Sequence, residues 1–447
     1  MTHRTRACPL PLRIAALLAL AGTACAREQE SLPSIKSSAD ARLRDPRTAP
    51  PRDESAARLL AAPLTADTAT RVALLNNASV RAAYEELGIA RASVVDALRV
   101  PNPELDAALR FSSEKPEIEL LALLGLGELL FLPLRADAAN AELDATRTEV
   151  IGRIVTLAFD VRAAFYQYQA ALQTLELTRT VLRATEASAD AAAHLHDAGN
   201  VTDLDLATER AFAEEARVAT RRADTDAAEA RSRLANLLGV TDAGSTWSAA
   251  GRLADPPAGE LSLDALEGRA IQQSLELQAT QQHADAAARR ATAEKTERWV
   301  PGLKAGVSAR DEGHWAVGPA VSVQLPLFYQ GQGKIDAALA EERRHKALGT
   351  ASAIDIRNAA HAAATKLTAA RENALRYRDV LLPLRQRVLD ETELHYNAMT
   401  VGVFQLLAAK RDQIATARTY VELLREYWLA RNEVERMLAG GAGGERR

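Results

Sequence analysis

The sequence has little cysteine, methionine or aromatic side chain. Its 447 residues include two cysteines and three methionines, and Phe, Trp and Tyr together make up 4%. Two cysteines, both within the first 25 residues, exclude a disulfide framework and a multi-cysteine metal site. Lys plus Arg number 55 against 59 Asp plus Glu, so there is no basic excess for nucleic acid. A composition of 47% hydrophobic and 26% charged residues is typical neither of a disordered chain nor of a bundle of membrane-spanning helices, and it favours long helices.

Recognisable catalytic and metal-binding motifs are also missing. We find no nucleophile–base pair, phosphate-binding loop or metal-ligand cluster, and therefore expect no enzyme, no catalytic residue, no cofactor and no bound metal. His194, His196 and His395 lie near two predicted turns. Because residues two apart on a helix do not face each other, we interpret the first two as solvated surface rather than as a metal site.

The N-terminus resembles an export signal. Residues 1–24 combine arginines with a short apolar run, which is too short to span a bilayer. Cys25 follows Gly22-Thr23-Ala24, a context that resembles a bacterial lipobox and predicts acylation of Cys25; ordinary cleavage after a small residue is the alternative. Residues 25–61 are rich in Pro, Ser, Arg and Asp, which predicts an extended tether behind a lipid anchor.

The rest of the sequence is an internal duplication. Short motifs recur at offsets between 193 and 200, in the same order, over some 180 residues. We define repeat one as residues 62–240 and repeat two as residues 261–439, with a linker at 241–260 and a flexible tail at 440–447. The matching pairs are Leu64-Thr65-Ala66-Asp67 with Leu261-Ser262-Leu263-Asp264, Leu132-Pro133-Leu134 with Leu325-Pro326-Leu327, and 199–206 with 399–406.

Each repeat contains the pattern of very long helices. In repeat one, apolar residues from Ile151 to Leu175 alternate at spacings of three and four, in a stretch without proline from Arg135 to about Leu195. Roughly 60 helical residues would be about 90 Å long, which excludes a compact globule. Repeat two has the same pattern, but Pro383 lies within it and should bend that helix.

Before each long helix, the apolar residues alternate with a period of two. In repeat two, Val317 and Val321 share one face while Gly318 and Ser322 share the other. This alternation is typical of outer-membrane barrel strands, apolar towards lipid and polar towards the lumen. We predict two strands within about 103–132 and two within about 301–327. Four strands cannot close a barrel and open edges are not tolerated in lipid, so several chains must each contribute four.

These features together resemble the TolC-type outer-membrane efflux protein family over essentially the whole mature chain. Besides the duplication, the resemblance rests on four short motifs: 100–103 (VPNP), 325–328 (LPLF), 198–204 (AGNVTDL) and 396–404 (YNAMTVGVF). It implies a mainly α fold with a small β part, namely a long α-helical hairpin barrel and a β-barrel built by trimerisation. Each of the two repeats then runs helix, strand, strand, long helix, helix.

The resemblance also implies a function, a location and partners. The chain would form a homotrimeric exit duct in the outer membrane, in contact with outer-membrane lipid, with its helices projecting into the periplasm. A periplasmic adaptor and an inner-membrane transporter would meet its helical tips, and cargo such as heavy metals or drugs would pass passively to the exterior. The alternative is a periplasmic lipoprotein whose long helical hairpins serve as a pump adaptor or a structural scaffold.

The two predicted helical tips contain the candidate site residues. The residues that match the adaptor-contacting tips of the family are Gly199, Val201, Thr202, Val401, Gly402 and Val403. Asp203 and Asp205 follow the first turn, and two interpretations stay open for them. They either stabilise the start of the returning helix, as acids do near a helix N-terminus, or form an acidic ring around the tunnel mouth that favours cations. Met399 differs from the glycine that the family commonly has in the second turn.

Overall fold

The computed structural model describes residues 55–111, 116–241, 246–299, 302–311 and 314–441. Helices and strands account for most of this part of the chain. In chain order the elements are α1 Ala56–Leu60, α2 Ala66–Asn76, α3 Ala78–Ala97, β1 Glu104–Phe111, β2 Pro116–Gly125, α4 Leu126–Asp197, α5 Asp203–Leu238, α6 Leu266–Gln273, α7 Leu275–Glu297, β3 Lys304–Asp311, β4 Trp315–Ser322, α8 Gln332–Arg376, a π-helical turn Tyr377–Leu381, α9 Leu382–Asn397 and α10 Val403–Leu438.

The predicted fold class is confirmed. Both repeats run through helix, strand pair, long descending helix, turn and returning helix. The two strand pairs join into one antiparallel sheet in the order β1-β2-β3-β4, with Ala122 opposite Val307 where the repeats meet. Since β1 and β4 each have one neighbour in the sheet, the described part of the chain has two open sheet edges.

The strands are shorter than the sequence predicted. We expected the second strand to reach Leu132, but β2 ends at Gly125 and α4 begins at Leu126. The apolar residues Leu126, Leu129 and Leu130 are spaced by three and four, as on a helix, so the same leucine-rich run continues as helix. In repeat two, β4 ends at Ser322, and residues 323–331 form no helix or strand.

The helices lie side by side in a single row at each end of the molecule. Next to the sheet the order is α3, α4, α7, α8, and towards the two hairpin turns it is α5, α4, α10, α9. The heptad residues predicted in α4 are buried in these contacts, among them Ile154, Val161 and Phe165. Alanines of the neighbouring helices, such as Ala223 and Ala227, are buried too, and their small side chains allow the helices to approach closely.

The predicted linker, residues 241–260, runs across helices of both repeats. The Gln169 Nε2–H of α4 donates to the Ala250 carbonyl at 2.7 Å, and the Tyr420 hydroxyl of α10 donates to Asp255 Oδ1 at 2.6 Å. Farther along, Arg431 Nη1 lies 3.2 Å from Glu260 Oε1. The described part of this segment therefore crosses both α4 and α10 and is held to each by side chains.

Just before Pro383, where the sequence predicts a bend, the helix contains the π-helical turn Tyr377–Leu381. The Leu382 N–H donates to the carbonyl of Tyr377, five residues earlier, as is characteristic of π-helix. Proline lacks an N–H, and its ring would clash with the carbonyl of Asp379 four residues before it. Widening the preceding turn lets the helix pass Pro383 without that clash.

A charged cluster joins repeat one to repeat two beside the sheet-proximal row. His283 of α7 lies between two carboxylates of α4, with Nδ1 3.2 Å from Glu142 and Nε2 3.7 Å from Glu149. The His345 ring of α8 stacks on it at 5.2 Å between centroids. Interaction with Glu142, then with Glu149, raises the pKa of His283 to about 9, and interaction with His283 lowers the pKa of Glu149 to about 2. His283 is therefore a cation at neutral pH and bridges the repeats.

The ends of the chain are described only in part. The signal segment 1–24, Cys25 and most of the predicted tether 25–61 lie outside the described residues, as do residues 442–447 of the predicted tail. The last residues of the tether form the short helix α1 instead of an extended segment. Within the described residues, none of the helices is both long and apolar enough to cross a membrane.

Candidate functional site: the two hairpin turns

The first turn connects α4 to α5 by a compact loop with backbone hydrogen bonds to the end of α4. The Asn200 N–H donates to the Leu195 carbonyl at 2.8 Å, and the Gly199 N–H donates to His196 at 2.8 Å. These bonds satisfy the last carbonyls of α4 in the pattern of a Schellman motif. Gly199 has φ +76°, a left-handed conformation that glycine adopts without steric cost.

The start of α5 is a capping box. Thr202 Oγ1 accepts from the Asp205 N–H at 3.2 Å, and Asp205 Oδ2 accepts from the Thr202 N–H at 3.1 Å. The Thr202 hydroxyl also donates to Asp205 Oδ2 at 2.8 Å. Hydrogen bonds from the side chain and then the backbone of Thr202 lower the pKa of Asp205. Asp205 is thus an ionised helix cap near neutral pH.

Asp203 is placed differently from Asp205. Its side chain is 96% exposed, and Oδ1 lies 2.7 Å from His196 Nε2. The structure therefore engages Asp205 within the turn, as the capping interpretation requires, and leaves Asp203 open to solvent. The acidic ring around a tunnel mouth needs several copies of the chain and stays a prediction.

The second turn repeats this geometry at an offset of 200 residues. The Thr400 N–H donates to His395 at 2.9 Å, and the Met399 N–H donates to Tyr396 at 2.9 Å. Met399 takes the place of Gly199 with φ +58° and a side chain that is 93% exposed. A residue with a Cβ pays roughly 1–2 kcal/mol for this conformation. The second turn therefore keeps the left-handed conformation of the first, although Met399 stands in the place of a glycine.

The six candidate contact residues lie at these two turns. Thr202 and Gly402 are the N-caps of α5 and α10, and the Gly402 N–H donates to Gln405 Oε1 at 3.1 Å. Val201 and Val401 are half-buried beside them. The exposed backbone and small side chains leave both turns accessible, which a docking role requires. Their contact with an adaptor stays a prediction.

Sequence reasoning missed a buried ion pair just above the turns. Glu209 of α5 is 3% exposed, accepts from the Ser188 hydroxyl of α4 at 2.5 Å, and lies 3.5 Å from Arg411 Nη1 of α10. Arg411 also stacks over the Phe212 ring at 4.0 Å. This contact ties the two hairpins together within one chain. Because Glu209 lies four residues before the buried Ala213, it falls on the apolar face of α5. An acid on that face is the signal in the sequence from which the buried pair could have been predicted.

Histidines and acids do not converge on a metal site in the described residues, where no group of three or more His, Cys, Asp or Glu side chains could hold an ion. His196 is paired with Asp203, and His395 Nδ1 lies 3.0 Å from the Thr400 hydroxyl. His194 is exposed on the other side of its helix turn. Each side chain near the turns thus has a local structural role or faces solvent.

Comparisons with known proteins agree with this architecture. The sequence model of the family described as "Outer membrane efflux protein" matches residues 70–240. The cobalt-zinc-cadmium resistance protein CzcC of Cupriavidus metallidurans is 22% identical over 400 residues, which cover 85% of this chain and 91% of that protein. The relationship therefore extends over both repeats.

Solved structures share the fold. A membrane protein from Pseudomonas aeruginosa superposes with a TM-score of 0.69 at 19% identity, covering 83% of this chain and 93% of the other. The channel CusC gives 0.63 at 19% identity, with coverages of 88% and 95%, and the outer membrane protein VceC of Vibrio cholerae gives 0.69 at 14%, with 84% and 96%. The chain is therefore similar to the outer membrane efflux protein family over residues 70–240, and it shares the fold of CusC and VceC over both repeats.

Proposed function

We propose that this chain is one protomer of a homotrimeric exit duct, through which cargo passes from the periplasm to the exterior without energy input by the duct itself. The observation that carries the proposal is the open sheet. Its four strands have unpaired edges at β1 and β4, and an open edge is not tolerated in a lipid bilayer. Closing three such sheets into one ring pairs every edge and gives twelve strands.

The faces of the sheet support a position in the outer membrane. Val317 and Val321 are 68% and 70% exposed on one face of β4, although they are the most apolar residues of that strand. Leu105 and Leu109 of β1 are likewise 72% and 63% exposed. Exposed apolar side chains at every second position fit a lipid-facing barrel wall, and α4 then continues from this wall into the periplasm.

The remaining parts of the proposal concern anchoring and partners. Cys25 would be acylated and would anchor the chain through the tether, while residues 62–240 and 261–439 form the two repeats of the duct. A periplasmic adaptor would contact both turns, through Gly199, Val201 and Thr202 and through Val401, Gly402 and Val403. An inner-membrane transporter would deliver the cargo through that adaptor.

For the cargo we propose heavy-metal cations, because the full-length relative is a cobalt-zinc-cadmium resistance protein. Under threefold symmetry, Asp203 and Asp205 would place up to six carboxylates near the periplasmic mouth, and rings of carboxylates favour cations. The Asp203 side chain is 96% exposed and supports this role, although it also contacts His196.

The experiment that tests the duct is a single-channel recording of the purified, unboiled protein in a planar bilayer. We expect stepwise conductance and a heat-modifiable oligomer in the outer-membrane fraction. A soluble protein without conductance would support the adaptor or scaffold alternative instead. For the tip, multivalent cations added on the periplasmic side should block the wild-type channel, and Asp203→Ala combined with Asp205→Ala should relieve the block. An equal block in both proteins would show that the acidic ring does not exist.

A further inference from the structure

Two stacked histidines lie at the contact between α7 and α8, near the sheet. The His283 ring of α7 and the His345 ring of α8 are 5.2 Å apart between centroids, with 22° between their planes. One turn farther along α8, Gly349 faces Thr280 of α7, whose methyl carbon lies 3.7 Å from the place of a Cβ. The two helices therefore approach closely here and hold the two rings face to face.

The two rings differ in their partners. His283 has a carboxylate near each ring nitrogen, Glu142 at 3.2 Å and Glu149 at 3.7 Å. His345 is half-buried, and among the described residues its ring nitrogens have neither a hydrogen-bond partner nor an ion-pair partner. The carboxylates thus keep His283 positively charged at neutral pH, whereas His345 meets α7 through the face of that charged ring.

The charged groups that act on His345 come from three helices. Burial, followed by the charge of His283 on α7, lowers the pKa of His345. Arg344 of α8 acts in the same direction, while Glu142 of α4 and Glu341 of α8 act against it. The net result favours a neutral ring at position 345 as long as the stack is closed.

The carboxylates that favour a proton on His345 are already engaged. Arg290 of α7 lies 3.7 Å from Glu142 and 2.8 Å from Glu341. The other helices that pack on α8, α6 and α10, contact it from Ile356 onward, eleven residues beyond His345. A proton added to His345 therefore meets a cation at the ring face and carboxylates that are shared with an arginine.

A cavity of about 460 Å³ adjoins the pair between α4, α7 and α8. Its wall includes Thr280, His283, His345 and Leu348. The cavity gives the rings access to water, and hence to protons, and it leaves space into which the His345 ring can move when it leaves the stack.

Repeat one has a different contact at the corresponding place. Leu64 and Leu261 are related by an offset of 197 residues. At the same offset His283 corresponds to Glu86 of α3, which pairs with Arg153 of α4 at 2.6 Å. Histidine is the side chain that ordinarily titrates between about pH 5 and 8. Of the two corresponding contacts, the one in repeat two is therefore the one that mild acid changes.

We propose that the stack of His283 and His345 is an acid-sensitive contact, which releases the sheet-proximal part of α8 from α7 when protonation of His345 sets two imidazolium ions face to face. His283 stays bound to Glu142 and Glu149, so α8 is released while the joint between α7 and α4 holds. The pKa of His345 is lowered in the stack and is ordinary in the released helix, so the contact weakens as the pH falls below about 6.5. Since α8 is the end of the helix row beside the sheet, mild acid loosens that edge and leaves the two turns unchanged.

Amide hydrogen exchange of the purified full-length protein, read by mass spectrometry on peptides of α8 around residue 345, tests the release. His345→Phe keeps a neutral ring in the stack, and comparing it with the wild type at the same pH removes the intrinsic pH dependence of exchange. The two proteins should exchange alike at about pH 7. At about pH 5 the wild type should exchange faster, by about tenfold for each unit by which the stack lowers the pKa of His345. Peptides of the first turn should show no difference and serve as the internal control.

Two further variants separate charge from shape. His345→Lys fixes a positive charge at this position and should make α8 exchange fast at about pH 7, with little further change at about pH 5. His345→Gln is a second neutral replacement, which should behave like His345→Phe if the larger ring disturbs the packing. The proposal is overturned if the wild type and both neutral variants exchange alike at about pH 5, or if His345→Lys exchanges as slowly as the wild type at about pH 7. Because both histidines belong to one chain, neither result depends on the proposed duct.

Discussion

The two repeats reach equivalent hairpin turns by different descending helices. Repeat one descends through α4 alone, 72 residues from the end of β2 to the first turn. Repeat two needs the irregular residues 323–331, then α8, the π-helical turn and α9 to cover the same course. The duplication therefore conserved the end points of the descent more closely than its path.

Two local substitutions account for the difference. Where repeat one has the buried, helical Ala138, repeat two has Gly331 with φ +74°, a conformation that stops helix from extending backwards towards the strand. Where repeat one has Arg183, repeat two has Pro383 and the widened turn before it. Single residues with special backbone properties thus decide whether a duplicated heptad pattern gives one helix or several.

The largest expected effect concerns the strand face that the two repeats share. Val317→Arg should strongly impair outer-membrane assembly, because it places a charge on the proposed lipid face at a cost of about 2–4 kcal/mol near the bilayer midplane, incurred three times in a trimer. Ser322→Arg, on the other face of β4, should be tolerated. Membrane fractionation and unboiled gel mobility measure both. Equal damage from the two variants would show that the assignment of faces is wrong.

Exchanging the residues that distinguish the descending helices tests that comparison directly. Arg183→Pro should destabilise repeat one by about 3 kcal/mol, because α4 has no widened turn to accommodate a proline. Pro383→Arg should be neutral or stabilising, since it restores an N–H to α9. Thermal unfolding followed by circular dichroism measures both. If Arg183→Pro were harmless, the continuous path of α4 would not depend on its sequence at that position.

The joint between the repeats should depend on pH. The pKa of His283 is raised to about 9 from an ordinary 6.5. Its contribution to the free energy of unfolding is therefore complete below about pH 6.5 and is lost as the pH rises towards 9. His283→Gln should lower the free energy of unfolding by about 1–2 kcal/mol near pH 6, after allowance for the half-exposed carboxylates. Unfolding in denaturant at several pH values should show that the free energy of unfolding falls less between pH 6.5 and 9 in the variant than in the wild type. The same dependence on pH in both proteins would contradict the bridging role.

The smallest effect distinguishes the two turns. Met399→Gly should stabilise the second turn by about 1 kcal/mol by removing the cost of a left-handed side-chain-bearing residue, and Gly199→Met should destabilise the first by a similar amount. Thermal unfolding of the two single variants gives the comparison. If the melting temperatures of the two variants shifted equally and in the same direction, the two turns would not be equivalent in backbone strain.

Much of the fold was predictable because it depends on local periodicity. The heptad spacing around Ile154 and Phe165 predicted α4, and the alternation around Val317 predicted β4, since burial on one face leaves a period in the sequence. The end of β2 was misplaced because a run rich in leucine fits a strand and a helix equally well. The predicted site residues did fall on the two turns, where Gly199 and the Thr202–Asp205 capping box leave recognisable motifs.

The sequence by itself determined the duplication, the long helices, the paired strands and the positions of the turns, because each follows from residues close together in the chain. Only the tertiary structure decided which helices are neighbours, and hence that Glu209 meets Arg411 and that His283 lies between two carboxylates of α4. These contacts join residues separated by more than 130 positions. Such pairings depend on how whole helices pack side by side, and a periodic sequence is compatible with several packings.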